Sequence, residues 1–268
     1  MKKSLSKLLL CYMILGMVLF ALAACAGQDA SGEGNESQQT VSLEGKNLFV
    51  YCGAGMTKPF QEIADAFEAE TGATVEITFG NAAQIISQIT TTQQGDLFIA
   101  GDEGELDKIK EEFVSDTKPL VKHIPVIVVT EGNPKGITTL ADFAKEDVRV
   151  VLGDNQATPI GKLADKALEK AGVLDQVNII ARSTTAPEIA NTLALGECDA
   201  SILWKENANI DGIEIVEDEE MTNFIKTIPA ASLNCSQNQE ALSAFLTFLD
   251  SKTATDIWQN YGYELIVE

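Results

Sequence analysis

Histidine is almost missing from this chain: His123 stands alone among 268 residues. Most routes to catalysis through an imidazole go with it, and no GxSxG, P-loop, HExxH or CxxC pattern supplies a substitute. Asp96, Asp102 and Glu188 come nearest to an acid and base pair, but Asp102 reads more simply as a helix cap. An enzyme is therefore not expected, and neither a metal nor a cofactor is implied. Positive charge is also short, with 19 Lys and Arg against 40 Asp and Glu and a formal net charge of -21. Such a field repels nucleic acid and anionic lipid surfaces, which removes both from the expected partners. Cysteine is sparse and unpatterned. Cys52, Cys198 and Cys235 show no spacing for zinc or redox chemistry and fit either buried free thiols or one disulfide with one spare.

What is present begins at the N-terminus. Lys2, Lys3 and Lys7 precede an apolar run from Leu8 to Leu22, which stops at Ala23, Ala24 and Cys25. A basic start, an apolar stretch and small residues before a cut are the marks of a removed secretory signal, here residues 1–24. A cysteine directly after Leu-Ala-Ala adds a bacterial lipobox, so Cys25 is expected to be acylated and to become the new N-terminus. Residues 25–42 then form a flexible tether, since Ala26 to Thr40 holds no apolar residue larger than alanine. A flexible stretch of about fifteen residues reaches roughly 20 to 25 Å. The expected location is the outer face of the cell membrane, touched only through the lipid, with a folded body from about Leu43.

That body reads as alternating strands and helices. Strands are predicted at Asn47–Cys52, Thr74–Phe79, Leu97–Ala100, Pro125–Thr130, Val148–Leu152, Val177–Ala181, Ala200–Trp204 and Ile213–Val216. Helical spacing follows many of them, as in Phe60, Ile63, Ala64 and Phe67, or Ile160, Leu163, Ala164, Ala167 and Leu168 before Gly172. A helix capped by Asp102 is predicted to run to about Phe113, and two more close the chain near Gln239–Leu249 and Thr253–Tyr261. Repeated βα units place the chain in the α/β class and predict parallel sheets covered on both faces.

The chemistry gathers where strands hand over to helices. The first such junction is Gly53-Ala54-Gly55-Met56-Thr57-Lys58-Pro59, and the second is Gly80-Asn81-Ala82. The third is Thr158-Pro159-Ile160-Gly161, and the fourth is Thr184-Thr185-Ala186-Pro187-Glu188-Ile189. Each offers unpaired backbone N–H groups and the positive end of a helix dipole, with a hydroxyl, amide or glycine that lets an anion approach. Ligands in open α/β sheets bind at such carboxyl ends of strands. Two junctions in each half of the chain point to a cleft between two lobes.

The stretches VYCGAGMTKPFQEIADAFEAETGATVEITFGNAAQIISQI, GDLFIAGDEGELD, LGDNQATPIGKLADKALEKAG and YGYELI resemble the molybdate and tungstate-binding proteins of ABC importers. The likeness runs from about Lys46 to Tyr263. It implies a type II periplasmic-binding-protein fold: lobe one from residues 43–124 and 230–268, lobe two from 125–229, and crossovers near Lys122–Thr130 and Thr227–Asn234. It also implies a monomer that captures a small oxyanion and delivers it to a membrane permease and its ATPase. The family's ligand donors fall on Gly55, Asn81, Ile160, Ile189 and Trp204, the two isoleucines through backbone N–H. Side chains depart at Gly55, Asn81 and Trp204, where the family has hydroxyls. Asn81 and the Trp204 indole remain donors, and Thr57 is a candidate to replace the hydroxyl lost at Gly55. Trp204 also fits a core residue, while Lys58, Arg182 and Lys205 flank the junctions as solvated charges. A lining of donors alone favours a fully deprotonated tetrahedral anion, because a protonated phosphate would bury an O–H without an acceptor. Another small anion, such as an organic acid, remains an alternative.

Overall fold

The computed structural model describes residues 42–266. The expected signal peptide, the expected lipidation site at Cys25 and nearly all of the expected tether lie outside the described residues. Two sheets organise the rest. The first half of the chain supplies β1 (Asn47–Gly53), α1 (Thr57–Thr71), β2 (Thr74–Gly80), α2 (Ala82–Thr92), β3 (Leu97–Ile99), α3 (Lys110–Phe113) and β4 (Val114–His123). The middle supplies β5 (Pro125–Thr130), β6 (Val150–Gly153), α4 (Pro159–Lys170), β7 (Ile179–Ser183), α5 (Ala186–Ala194), β8 (Ala200–Trp204) and β9 (Ile213–Val216). The chain closes with β10 (Lys226–Leu233), α6 (Gln239–Phe248), α7 (Lys252–Asn260) and β11 (Glu264–Leu265).

The helices form where the apolar spacing and the punctuation agree. α1 buries Phe60, Ile63, Ala64 and Phe67 on one face and stops at Gly72, whose φ of 75° few other residues adopt. α4 starts on Thr158 with Pro159 in its first turn and buries Ile160, Leu163, Ala164, Ala167 and Leu168. The helix expected from Asp102 to Phe113 is instead broken. Asp102 caps a short 3-10 turn, Glu103–Leu106, and α3 adds only one further turn.

Strand order is β11-β4-β10-β3-β1-β2 in the first sheet and β7-β6-β8-β5-β9 in the second. Both are mixed, which corrects the expectation of parallel sheets. β1 runs parallel to β2 and β3, and β6 runs parallel to β7 and β8, because helical turns return the chain between them. β10 pairs antiparallel with β3 and β4, and β5 with β8 and β9. Both sheets are covered on both faces. α1, α6 and α7 pack Phe60, Phe67, Phe245, Phe248 and Trp258 on one side of the first, with Ile85, Ile89, Leu106, Ile109 and Phe113 on the other. α4 covers one side of the second and α5 the other.

The chain passes between sheets across Ile124 alone and returns at Lys226, which pairs with His123. A lobe boundary at 229/230 therefore falls inside β10, whose early residues bond to β4 in the first sheet. Cys52, Cys198 and Cys235 are free thiols, which settles the alternative left open by their number. Burial pushes the Cys198 thiol up to about 12. Among the described residues no helix is long and apolar enough to cross a membrane.

Candidate functional site

Parallel pairing brings the carboxyl ends of β1, β2 and β3 to one edge of the first sheet, with Gly53 opposite Gly80. The same logic sets Gly153 opposite Ser183 in the second, with the end of β8 at that edge. All four junctions thus sit at carboxyl edges, where helix N-termini present donors.

At the first junction a 3-10 turn, Ala54–Met56, precedes α1. Met56 is buried and pins the turn, its Cε lying 2.9 Å from where a Cβ on Gly53 would stand. Gly55 faces open space, with nothing within 4 Å of an added Cβ. The Thr57 hydroxyl donates to the Ala54 carbonyl at 2.8 Å, so the role suggested for it requires that bond to break.

Asn81 is fixed by a capping box. Its Oδ1 accepts from Gln84 N–H at 2.9 Å while Gln84 Oε1 takes the Asn81 N–H at 3.3 Å. With Oδ1 turned inward to the helix, Nδ2 is the end left to donate outward.

The third junction narrows to a single donor. Thr158 Oγ1 takes the Gly161 N–H at 3.1 Å, and Pro159 has none, so the Ile160 N–H is the first-turn donor without an acceptor among the described residues. Gly161 is obligatory there, because a Cβ would lie 2.4 Å from the Asp154 carbonyl oxygen. Arg182 braces the same loop, donating to the Gly153 carbonyl at 3.0 Å and to Asp165 at 2.7 Å. It is a structural clamp and not a solvated charge.

At the fourth junction the structure moves the donor. The Ile189 N–H points along the helix to the Thr185 carbonyl at 3.4 Å, so it is the first helical bond of α5 and not a free group. Proline stands here at the second helical position and leaves the N–H of Ala186 before it unpaired among the described residues. The Ala186 and Glu188 N–H groups replace that of Ile189 as the candidates, neither having an acceptor among the described residues.

Trp204 ends β8, and its indole stacks on His123 with centroids 3.6 Å apart and planes at 20°. The ring belongs to the core, only 7% exposed. Its N–H has no acceptor among the described residues and is not one of the enclosed unpaired atoms, which are Ser201 Oγ and Trp258 Nε1. The ring thus fits the core reading, and its N–H is left available as a donor. His123 Nδ1 lies 3.0 Å from the Gly101 carbonyl and must donate to it, while Nε2 lies 2.9 Å from Glu206. Lys205 is held by Glu264 at 2.6 Å.

The carboxylates weighed as catalysts are occupied. Asp96 accepts from Phe49 N–H and Ser236, Asp102 caps its turn, and Glu188 accepts from Ser183. One carboxyl escaped the sequence reading: Glu105, whose Oε2 takes the Gly101 N–H at 2.7 Å at the carboxyl end of β3. Burial pushes it above the usual carboxylate range; the Gly101 bond opposes that shift, Asp102 adds to it, and His123 and Lys162 oppose it. Its only sequence signal was the Asp102-x-x-Glu105 spacing of a capping box, here redirected to Gly101. An acidic group thus stands beside the first junction, where the sequence suggested donors alone.

A cavity of about 350 Å³ lies elsewhere, lined by Ser115, Lys118, Ser232, Ser243 and Asp250 among others on β4, β10 and α6. Gly55, Thr57 and Asn81 are exposed at their edge, whereas Ile160 is buried beneath its backbone. Among the described residues no cluster of His, Cys, Asp and Glu is arranged to hold a metal ion.

Two covered α/β sheets joined by short crossings, with unpaired helix N-termini at the strand ends, define a two-lobed binding protein. The chain belongs to the bacterial extracellular solute-binding proteins, whose family model matches residues 48–264. A Haemophilus influenzae protein named only as a binding protein is 31% identical over 172 residues, 63% of this chain and 70% of its own. The molybdate-binding protein ModA of Escherichia coli is 24% identical over 234 residues, 83% of this chain and 90% of its own. The substrate-binding domain of a molybdenum ABC transporter from Clostridium difficile superposes with a TM-score of 0.69 at 21% identity, covering 82% of this chain and 99% of that one. Iron-bound HitA from Pseudomonas aeruginosa does so with a TM-score of 0.68 at 15% identity, covering 83% and 87%. Likeness at that level carries the fold and leaves the ligand to the site.

Proposed function

We propose that this protein is the lipid-anchored, monomeric binding component of an ABC importer and captures a tetrahedral oxyanion, molybdate or tungstate, at the outer face of the membrane. The observation that carries the reading is the set of unpaired donors at four strand ends: the Gly55 loop, Asn81 Nδ2, the Ile160 N–H and the N–H groups of Ala186 and Glu188. Lobe closure would bring the pairs together around one anion. The Trp204 indole N–H stands at the matching edge as a further donor. Neutral dipoles in a closed cleft act at short range, while the protein's net negative charge is largely screened beyond about 8 to 10 Å in salt. The named ligands of ModA and of the Clostridium domain support the same choice.

A second reading, another small anion, draws on the open space at Gly55 and on Glu105. A thermal-shift panel of tungstate, molybdate, sulfate, phosphate and small carboxylates separates the two. Ligand at a hundred times its dissociation constant adds about 2.7 kcal/mol of stability, which for a body of this size raises Tm by roughly 5 to 11 °C. Molybdate and tungstate are expected to do so and sulfate much less. A panel in which neither metal oxyanion moves Tm sinks the oxyanion proposal.

A further inference from the structure

Glu105 has no part in the capture just described, yet its place puts it beside the captured anion. Its carboxylate is tied to Gly101, the residue whose N–H stands 3.9 Å from a Cβ built on Gly53, at the entrance to the first junction. The carbonyl of the same Gly101 faces His123 Nδ1 at 3.0 Å, and His123 stacks on Trp204 at the end of β8. Glu105 is therefore joined through Gly101 to the donor loop of the first sheet and, by way of His123, to the Trp204 end of the second. A dianion drawn to those donors meets a negative charge that cannot swing away, because Gly101 holds it.

We propose that the Glu105 carboxyl takes up one proton when the oxyanion binds, so that the protonated acid joins the site and affinity falls as pH rises. The inference rests on the oxyanion reading above. The groups facing Glu105 are Asp102 from its own turn, His123 from β4, with Glu206 behind it, and Lys162 from α4. Asp102 and the incoming anion both favour the protonated carboxyl, while Lys162 and His123 favour the ionised one. Burial already pushes the empty site's carboxyl above the usual range, and the added negative charge acts in the same direction. The sign follows from linkage: a group that is protonated in the complex and ionised in the free protein costs affinity at every step up in pH between its two midpoints, to a limit of about tenfold per unit.

Isothermal titration calorimetry with molybdate and with tungstate, in two buffers of different ionisation heat from about pH 6 to 8, tests this on the full folded body and on Glu105→Gln. Glutamine keeps an acceptor for the Gly101 N–H and mimics the protonated acid. Wild type is expected to take up protons as the anion binds, with Kd rising with pH wherever uptake is seen. E105Q is expected to take up none, to bind with a flat profile, and to exceed wild type at the high end. Wild-type binding with buffer-independent heat and a flat profile overturns the inference and leaves the oxyanion reading standing, as does unchanged proton uptake in E105Q. Absence of binding by either protein overturns both. Should E105Q fold poorly, the wild-type buffer comparison by itself decides whether a proton is taken up.

Discussion

Asn81→Asp separates the two duties of one side chain. As a helix cap the carboxylate is as good as the amide, and the dipole favours its charge by about 0.3 to 1 kcal/mol. The Gln84 N–H at 2.9 Å still has its acceptor, so the unliganded Tm is expected to move by no more than about 4 °C. Against an anion the change is opposite. The outward Nδ2 donor is lost, which costs about 1.5 to 3 kcal/mol for a hydrogen bond to a charged group. In its place stands a negative oxygen; at about 4 Å a pair of unit charges repels by about 1 kcal/mol even at the dielectric of water, and a dianion doubles it. Together these give at least about 3.5 kcal/mol, a rise in Kd of roughly 300-fold or more. Asn81→Ser is the control, since a serine hydroxyl accepts from the helix and donates outward at once, and it is expected to stay within about tenfold of wild type. Titration calorimetry with molybdate on the three proteins, paired with melting of each without ligand, reads both duties. An aspartate variant that binds as tightly as wild type would show that the second junction does not face the ligand.

Two further substitutions probe the remaining donors. Gly55→Ser adds a hydroxyl into open space at a backbone conformation that side chains accept, so it is expected to leave Tm unchanged and to tighten molybdate binding by up to about tenfold, one neutral hydrogen bond; weaker binding with an intact fold would place the ligand where that hydroxyl intrudes. Trp204→Phe removes the N–H and shrinks the stack on His123, with an expected loss of about 1 kcal/mol in stability and, separately, about 1.5 to 3 kcal/mol in binding, read by melting and by calorimetry. A variant that melts early but binds as before would leave Trp204 as core alone.

Local chemistry made much of this legible. Thr158-Pro159 and Gly172 bracket α4, Asn81 starts α2, and the apolar spacing of Phe60 to Phe67 fixes the buried face of α1, because caps, proline and side-chain period act within one turn. β4 and β10 were opaque. β4 carries Asp116, Lys118, Pro119 and Lys122 with no alternation, and only its partners across the sheet make it a strand. The fourth junction failed by register: Pro159 stands first in its helix and Pro187 second, a shift of one residue that decides which N–H is left unpaired. Glu105 was hidden for a third reason. Its spacing announced a cap, and only the fold shows that it reaches Gly101 at the carboxyl end of β3.

The paired crossing strands have a mechanical consequence. β4 leaves the first sheet at His123, and β10 enters it at Lys226, hydrogen-bonded to the same residue, so the two connections are stitched side by side at the point of departure. A spine of two bonded strands bends readily and slides poorly. If the proposed site closes on an anion, each half-site would turn as a jaw about this spine, and the width of the anion would set the angle at which the jaws come to rest. The protein would thus work as a calliper, reporting the radius of its cargo along its whole outer contour to whichever partner reads that shape.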